Sequence, residues 1–256
     1  MIKVDLKGSE KEFESGVSVA EVAKSIGMGL YKSACAAKVN GEVCDLRTVL
    51  NEDCKVEILT FDDKEGKKAY WHTASHIMAQ AVNRLYPGTK FAIGPAVDNG
   101  FYYDMELPQA ITNDDLAKIE AEMKKIANEN LKIERFVLPK EQALELMKDE
   151  PYKTILINEL PEGEEISFYK QGEFTDLCAG PHVNYTKKVK AFKLLNITGA
   201  YWKGDSKNKM LQRIYAVAFP KKEELDEYLK QREEALKRDH NKLCLLYTSP
   251  SPRDRQ

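Results

Sequence analysis

Apolar and polar positions alternate at the start of the chain, where Ile2, Val4 and Leu6 fall on one side of an extended segment before Gly8 turns it. Ser18 and Glu21 stand at capping-box spacing and open a helix that Gly27 and Gly29 end. Asn40-Gly41, between apolar runs at 34–39 and 43–46, predicts a hairpin, and 56–59 supplies a last strand. Residues 1–61 therefore read as one small unit of the order strand, strand, helix, strands. The charged stretch that follows carries a single glycine, Gly66, and 62–69 reads as a linker. Beyond it the period changes. Tyr70, Trp71, Ala74, Ile77, Met78, Ala81, Val82 and Leu85 recur at steps of three and four, giving one apolar helix face until Pro87-Gly88 stops it.

Asp98-Asn99-Gly100 lies between short apolar runs, a hairpin whose glycines either make a plain turn or let backbone approach a ligand. Thr112 to Asp115 caps a helix with Leu116, Ile119, Met123, Ile126 and Ala127 on its inner face. Ile133, Arg135 and Val137 alternate as a strand, 140–147 is helical, Pro151 starts a short segment, and strand-like runs recur at 166–169, 174–177, 189–202 and 210–219. The mixture predicts an α+β domain with antiparallel sheet over 70–220. Residues 221–243 read as a charged amphipathic helix. Residues 244–256 contain two Ser-Pro pairs, break that pattern and read as a translated sequencing or cloning scar.

Composition narrows the function classes. With 256 residues, 43% hydrophobic and 31% charged, the chain has enough apolar sequence for well-developed cores. A formal net charge of −2 excludes a globally basic nucleic-acid binder but allows a local patch. Such a patch lies at 187–213, where Lys187, Lys188, Lys190, Lys193, Lys203, Lys207, Lys209 and Arg213 face one acid, Asp205, with Tyr185, Phe192, Tyr201 and Trp202 interleaved. Cations neutralise phosphates and exposed rings stack on unpaired bases; the competing reading is a strand pair with a solvated basic face. No secretory signal or membrane span is evident, which predicts a cytoplasmic protein. The five cysteines have no framework spacing and read as reduced thiols.

Three of the four histidines and one cysteine fall in two short strings, HTASH at 72–76 and CAGPH at 178–182. His72 and His76 are four apart on a helix, so both rings leave one face, and a loop carrying Cys178 and His182 could meet them. A zinc protease would need a glutamate directly after the first histidine; Thr73 stands there, and a hydroxyl is no base near neutral pH. Zinc itself suits the set His72, His76, Cys178 and His182, but four protein ligands make a closed tetrahedron of structural type, whereas catalytic zinc keeps a position for water.

The strings HTASH, DNGFYYD, EPYK, DLCAGPH and GAYWKGDSKNKMLQRIYAVAF together resemble the editing domain of bacterial-type threonyl-tRNA synthetases, the threonyl/alanyl-tRNA synthetase second additional domain. The order of elements in 1–61 resembles the TGS domain, a ubiquitin-like β-grasp. What the resemblance implies is hydrolysis of serine attached in error to the threonine-specific tRNA, with His72, His76, Lys153, Asp176, Cys178 and His182 as editing residues and no cofactor required. In the alanyl relatives the four equivalent His and Cys positions bind zinc. Lys187, Lys188, Lys190, Lys203, Lys207 and Arg213 are the expected RNA contacts. Taken alone, Lys153 and Asp176 read as solvated surface charges. The family's synthetic region, which uses ATP, magnesium and its own zinc and belongs to a homodimer, is expected to follow 221–243 and is absent here. The rival expectation is a non-catalytic, tRNA-binding or regulatory module with structural zinc. Since every candidate residue follows residue 61, deacylation is expected to survive removal of 1–61 in part.

Overall fold

The computed structural model describes the backbone over residues 1–248 and side chains through residue 238. Strand β1 (Ile2–Asp5) pairs antiparallel with β2 (Glu10–Phe13), and α1 (Val19–Ile26) follows. The Glu21 N–H donates to Ser18 Oγ while the Ser18 N–H donates to Glu21 Oε2 at 2.9 Å, so the capping box forms as read. Gly27 ends α1, but the chain re-enters a short helix, α2 (Met28–Ser33), that periodicity did not signal. β3 (Ala36–Val39) and β4 (Glu42–Cys44) form the expected hairpin, with Asn40 and Gly41 both at positive φ as a two-residue turn of this hand requires. β5 (Cys54–Leu59) runs parallel to β1 and antiparallel to β3, giving the order β2-β1-β5-β3-β4. Val4, Val19, Val22, Leu46 and Val56 fill the core beneath α1.

The stretch read as a linker is a correction. Helix α3 (Lys64–Leu85) begins inside it, because Asp63 Oδ2 accepts from the Thr60 N–H at 2.7 Å and from its hydroxyl, tying strand end to helix start. Gly66 lies so close to Thr60 that a Cβ on it would stand 1.9 Å from the Thr60 carbonyl oxygen. Backbone cannot yield there as a flexible side chain would. Gly66→Ala is expected to destabilise the protein by about 1–3 kcal/mol, read by urea denaturation.

α3 is buried on nearly every side from Ala69 to Val82. One face packs on the sheet β11-β12-β7-β6, built from β6 (Lys90–Phe91), β7 (Gly100–Glu106), β11 (Ala191–Tyr201) and β12 (Met210–Phe219). Against its flank lie α4 (Leu116–Glu129), and further round a second sheet of β8 (Ile133–Val137), β9 (Ser167–Gln171) and β10 (Phe174–Leu177). Between β8 and β9 runs α5 (Pro151–Glu159). Cys35, Ala36 and Leu59 of the small unit share one core cluster with Tyr70, Ala74 and Ile77 of α3, so the units pack face to face. The α+β class expected from the sequence holds.

The glycines near the 98–100 hairpin serve packing. Gly100 pairs with Val97, and a Cβ on it would meet the Ala216 carbonyl oxygen at 2.4 Å; one on Gly94 would strike the Tyr103 ring at 2.3 Å. They admit the protein's own strand and ring. α6 (Lys222–Thr248) matches the expected charged helix and continues into the stretch read as a scar, of which 249–256 lie outside the described residues. No helix among the described residues is long and apolar enough to cross a membrane.

Candidate functional site

Buried polar side chains must find partners, and on α3 they do so in a way that fixes the site. Ser75 Oγ bonds the carbonyls of His72 and Gly94, and Gln80 reaches Glu173 and Gln171. Thr73 Oγ1 donates to the Ala69 carbonyl at 2.8 Å, accepts from the Val183 N–H at 3.0 Å, and lies 3.2 Å from His182 Nδ1. A hydroxyl has one proton, already used on Ala69, so the Thr73–His182 contact requires the proton on His182 Nδ1. That tautomer leaves Nε2 as a lone pair, and Nε2 stands 3.2 Å from Cys178 Sγ. Thr73, which the sequence marks only as the wrong residue for a protease, orients a histidine.

The two strings converge. Cys178 Sγ lies 3.2 Å from His72 Nε2 and accepts from the Gly180 N–H at 3.2 Å; the rings of His72 and His76 each lie 4.3 Å from that of His182. His76 and His182 are buried, whereas His72 and Cys178 are half-buried. On the far side of His76, Asp176 Oδ2 is 3.5 Å from Nε2 and accepts a hydrogen bond from the Tyr103 hydroxyl. Asp176 Oδ1 holds Lys153 Nζ at 2.6 Å, and that ammonium also donates to Tyr103 Oη at 3.1 Å. Asp176 and Lys153 are each 3% exposed, so the surface-charge reading fails. They form a preformed ion pair inside the site.

Burial sets the protonation states. It pushes His72 down to about 3, reinforced by His76 and opposed by Asp176, and His76 down to about 4 against the pull of Asp176. Burial likewise pushes the Cys178 thiol up to about 12. Burial disfavours the Asp176 carboxylate, but Lys153, His76 and the bond from Tyr103 outweigh it and hold the carboxyl below its usual value. Near neutral pH the site thus holds neutral imidazoles, a protonated thiol and an ionised carboxylate.

A stability consequence follows, with a definite sign. Below about pH 6.5 an unfolded chain protonates its histidines while folded His72 and His76 stay neutral, so stability is complete above that pH and falls on acidification. Between pH 7 and pH 5 the loss is expected to be roughly 2 kcal/mol for each of these two histidines. Urea titrations at both pH values check it, and His72→Gln should shrink the difference by about 2 kcal/mol.

One donor atom from each of His72, His76, Cys178 and His182 lies within 4.8 Å of the others, a Cys/His set that fits zinc by chemistry and by proximity. Tyr103 was missed by the sequence reading, although the alternation Phe101, Tyr103, Met105 places it on the inner face of β7. Also missed were Asp45 and Arg47 of the small unit. Arg47 donates to the carbonyls of Ile133 at 2.6 Å, His182 at 3.1 Å and Val183 at 2.7 Å, so the small unit reaches the backbone that carries His182.

The TGS domain family matches residues 4–60, and the family described as threonyl and alanyl tRNA synthetase second additional domain matches residues 166–215, the stretch with Asp176, Cys178 and His182. A threonine–tRNA ligase of Clostridium perfringens is 62% identical over 244 residues, 95% of this chain and 38% of the relative. Those of Caldanaerobacter subterraneus and Acetivibrio thermocellus are 61% and 58% identical, over 92% and 95% of the chain. Over nearly all of its length the chain is similar to the N-terminal regions of threonine–tRNA ligases. It spans 37–39% of the length of these ligases.

The basic stretch at 187–213 divides when seen in three dimensions. Lys187, Lys190, Lys203 and Lys207 are exposed, Lys203 pairing with Glu159. Lys188 is a correction: Nζ bonds the carbonyls of Tyr31 at 3.2 Å and Ala34 at 2.6 Å at the end of α2, and burial pushes it down to about 8. Arg213 is another, held by Asp104 at 2.6 and 2.7 Å and stacked on Tyr102 at 3.9 Å. Both cations satisfy acceptors inside the fold. Of the interleaved rings, Phe192 and Trp202 are core and Tyr201 is 40% exposed.

Proposed function

We propose that this chain is the editing part of a threonine–tRNA ligase and hydrolyses the ester of serine attached in error to the threonine-specific tRNA. The observation that supports it most is the meeting of His72, Cys178 and His182 at 3.2 Å beside the buried Lys153–Asp176 pair. A pocket built for threonine cannot firmly reject serine, since one methyl is worth only ~1–3 kcal/mol, so a second site that admits the smaller residue is needed.

Water attacks the ester carbonyl and the ribose oxygen leaves with a proton. Neutral His72, half-buried and so within reach of solvent, takes the proton of the attacking water. Cys178, protonated at neutral pH, orients that water or the ribose hydroxyl and does not attack. Asp176 receives the serine ammonium, and Lys153 supplies a donor for the developing oxyanion. Lys187, Lys190, Lys203 and Lys207 contact phosphates of the acceptor end. No cofactor enters the hydrolysis. The proposed parent acts in the cytoplasm as a homodimer and ligates threonine with ATP, magnesium and zinc in its remaining length.

The closeness of four donor atoms favours a second reading, a tRNA-binding module whose four residues hold structural zinc. Presenting the chain with seryl- and threonyl-tRNA of the threonine-specific type separates the two. Serine should be released at least ~10-fold faster than threonine; equal rates, or no release, would reject the editing reading.

A further inference from the structure

Asp45 is buried, yet it belongs to the small unit rather than to the fold that carries the histidines. Its Oδ2 accepts from the Tyr169 hydroxyl at 2.9 Å and from the His182 N–H at 3.4 Å, and its Oδ1 pairs with Arg47. Arg47 in turn grips the His182 and Val183 carbonyls, with Nε–H on the Ile133 carbonyl of β8. One acid and one guanidinium thus engage both the N–H and the C=O of His182. A planar fork with five donors suits this task, since it fixes several acceptors in one orientation at once.

The same pair fixes Tyr169 of β9. Its ring packs 4.4 Å from the His182 imidazole, and a Cβ on Gly180 would stand 2.1 Å from its hydroxyl oxygen, so the Cys178–His182 turn is wedged between Tyr169 and Thr73. No other side chain of 1–61 has a hydrogen bond into this turn among the described residues.

We propose that Asp45 and Arg47 are positioning residues that lock the Cys178–His182 turn from the small unit, making that unit part of the hydrolytic site. The inference rests on the editing function proposed above. It reverses the expectation that removal of 1–61 leaves activity. Misplacing a reacting group by about 1 Å costs on the order of 100-fold.

The test uses the whole chain with Arg47→Ala, Asp45→Asn and Arg47→Lys, and Arg135→Ala as a control in the same groove, whose side chain meets Glu165. Serine release is measured under single turnover across tRNA concentrations, and alkylation of Cys178 by iodoacetamide is followed by peptide mass spectrometry. Arg47→Ala and Asp45→Asn should lower the maximal rate ~10–100-fold with less than ~3-fold change in half-saturating tRNA, and should alter Cys178 alkylation several-fold. Arg47→Lys, which keeps the charge, should recover part of both and serves if the alanine variant fails to fold. Folded variants within about twofold of wild type in both readouts, or Arg135→Ala matching Arg47→Ala, would overturn the proposal. If wild type releases no serine, the editing reading falls, while Cys178 alkylation still decides whether the clamp exists.

Discussion

Lys153→Ala is expected to abolish measurable seryl-tRNA hydrolysis, a loss of ~100-fold or more, and to destabilise the fold by about 3–5 kcal/mol. The reason is geometric. Lys153 Nζ is the cation against Asp176 Oδ1, both groups are nearly inaccessible, and deletion of the ammonium strands a carboxylate among Tyr103 and His76. Removing one member of a buried pair costs far more than the net worth of the pair. Lys153→Met with Asp176→Asn removes both charges together and should regain much of the stability without regaining hydrolysis. Urea unfolding and serine release on the same preparations check both halves; a stable, active Lys153→Ala protein would contradict the assignment of the pair.

His72→Ala should lower the maximal rate of serine release by ~100- to 10,000-fold, the usual reach of general base catalysis, with little effect on folding. His72 is the half-buried edge of the cluster: its ring contacts Cys178 and its neighbours, but it makes none of the bonds that Thr73 and Asp45 make to His182. Its removal therefore takes away a proton acceptor and leaves the turn in place. Half-saturating tRNA should stay near the wild-type value, because phosphates are held elsewhere. A His72→Ala chain that hydrolyses seryl-tRNA at close to the wild-type rate would transfer the base to another group.

Much of the fold was legible because its signals are local. The capping box at Ser18, the Asn40-Gly41 turn and the three-four spacing from Tyr70 to Leu85 each act over a few residues, and each appears as read. The convergence of HTASH with CAGPH was legible from spacing and from resemblance. What escaped depends on distant packing. Nothing near Lys64 announces that Asp63 would tie the end of β5 to the start of α3 through Thr60, and nothing near Arg47 that its acceptors lie at Ile133, His182 and Val183. Lys188 and Arg213 look like surface charge in one dimension because their acceptors, the α2 carbonyls and Asp104, come from other parts of the chain. For Tyr103, the alternation with Phe101 and Met105 marks the inward ring, but nothing near it announces that its hydroxyl would meet Asp176.

Whether the His/Cys cluster is a hydrolytic centre or a closed metal site is decided by measuring metal content and serine release on one preparation of the chain after chelation. Selective release of serine at metal levels well below one ion per chain is the predicted result. A chain that holds one zinc ion and releases no serine would contradict it.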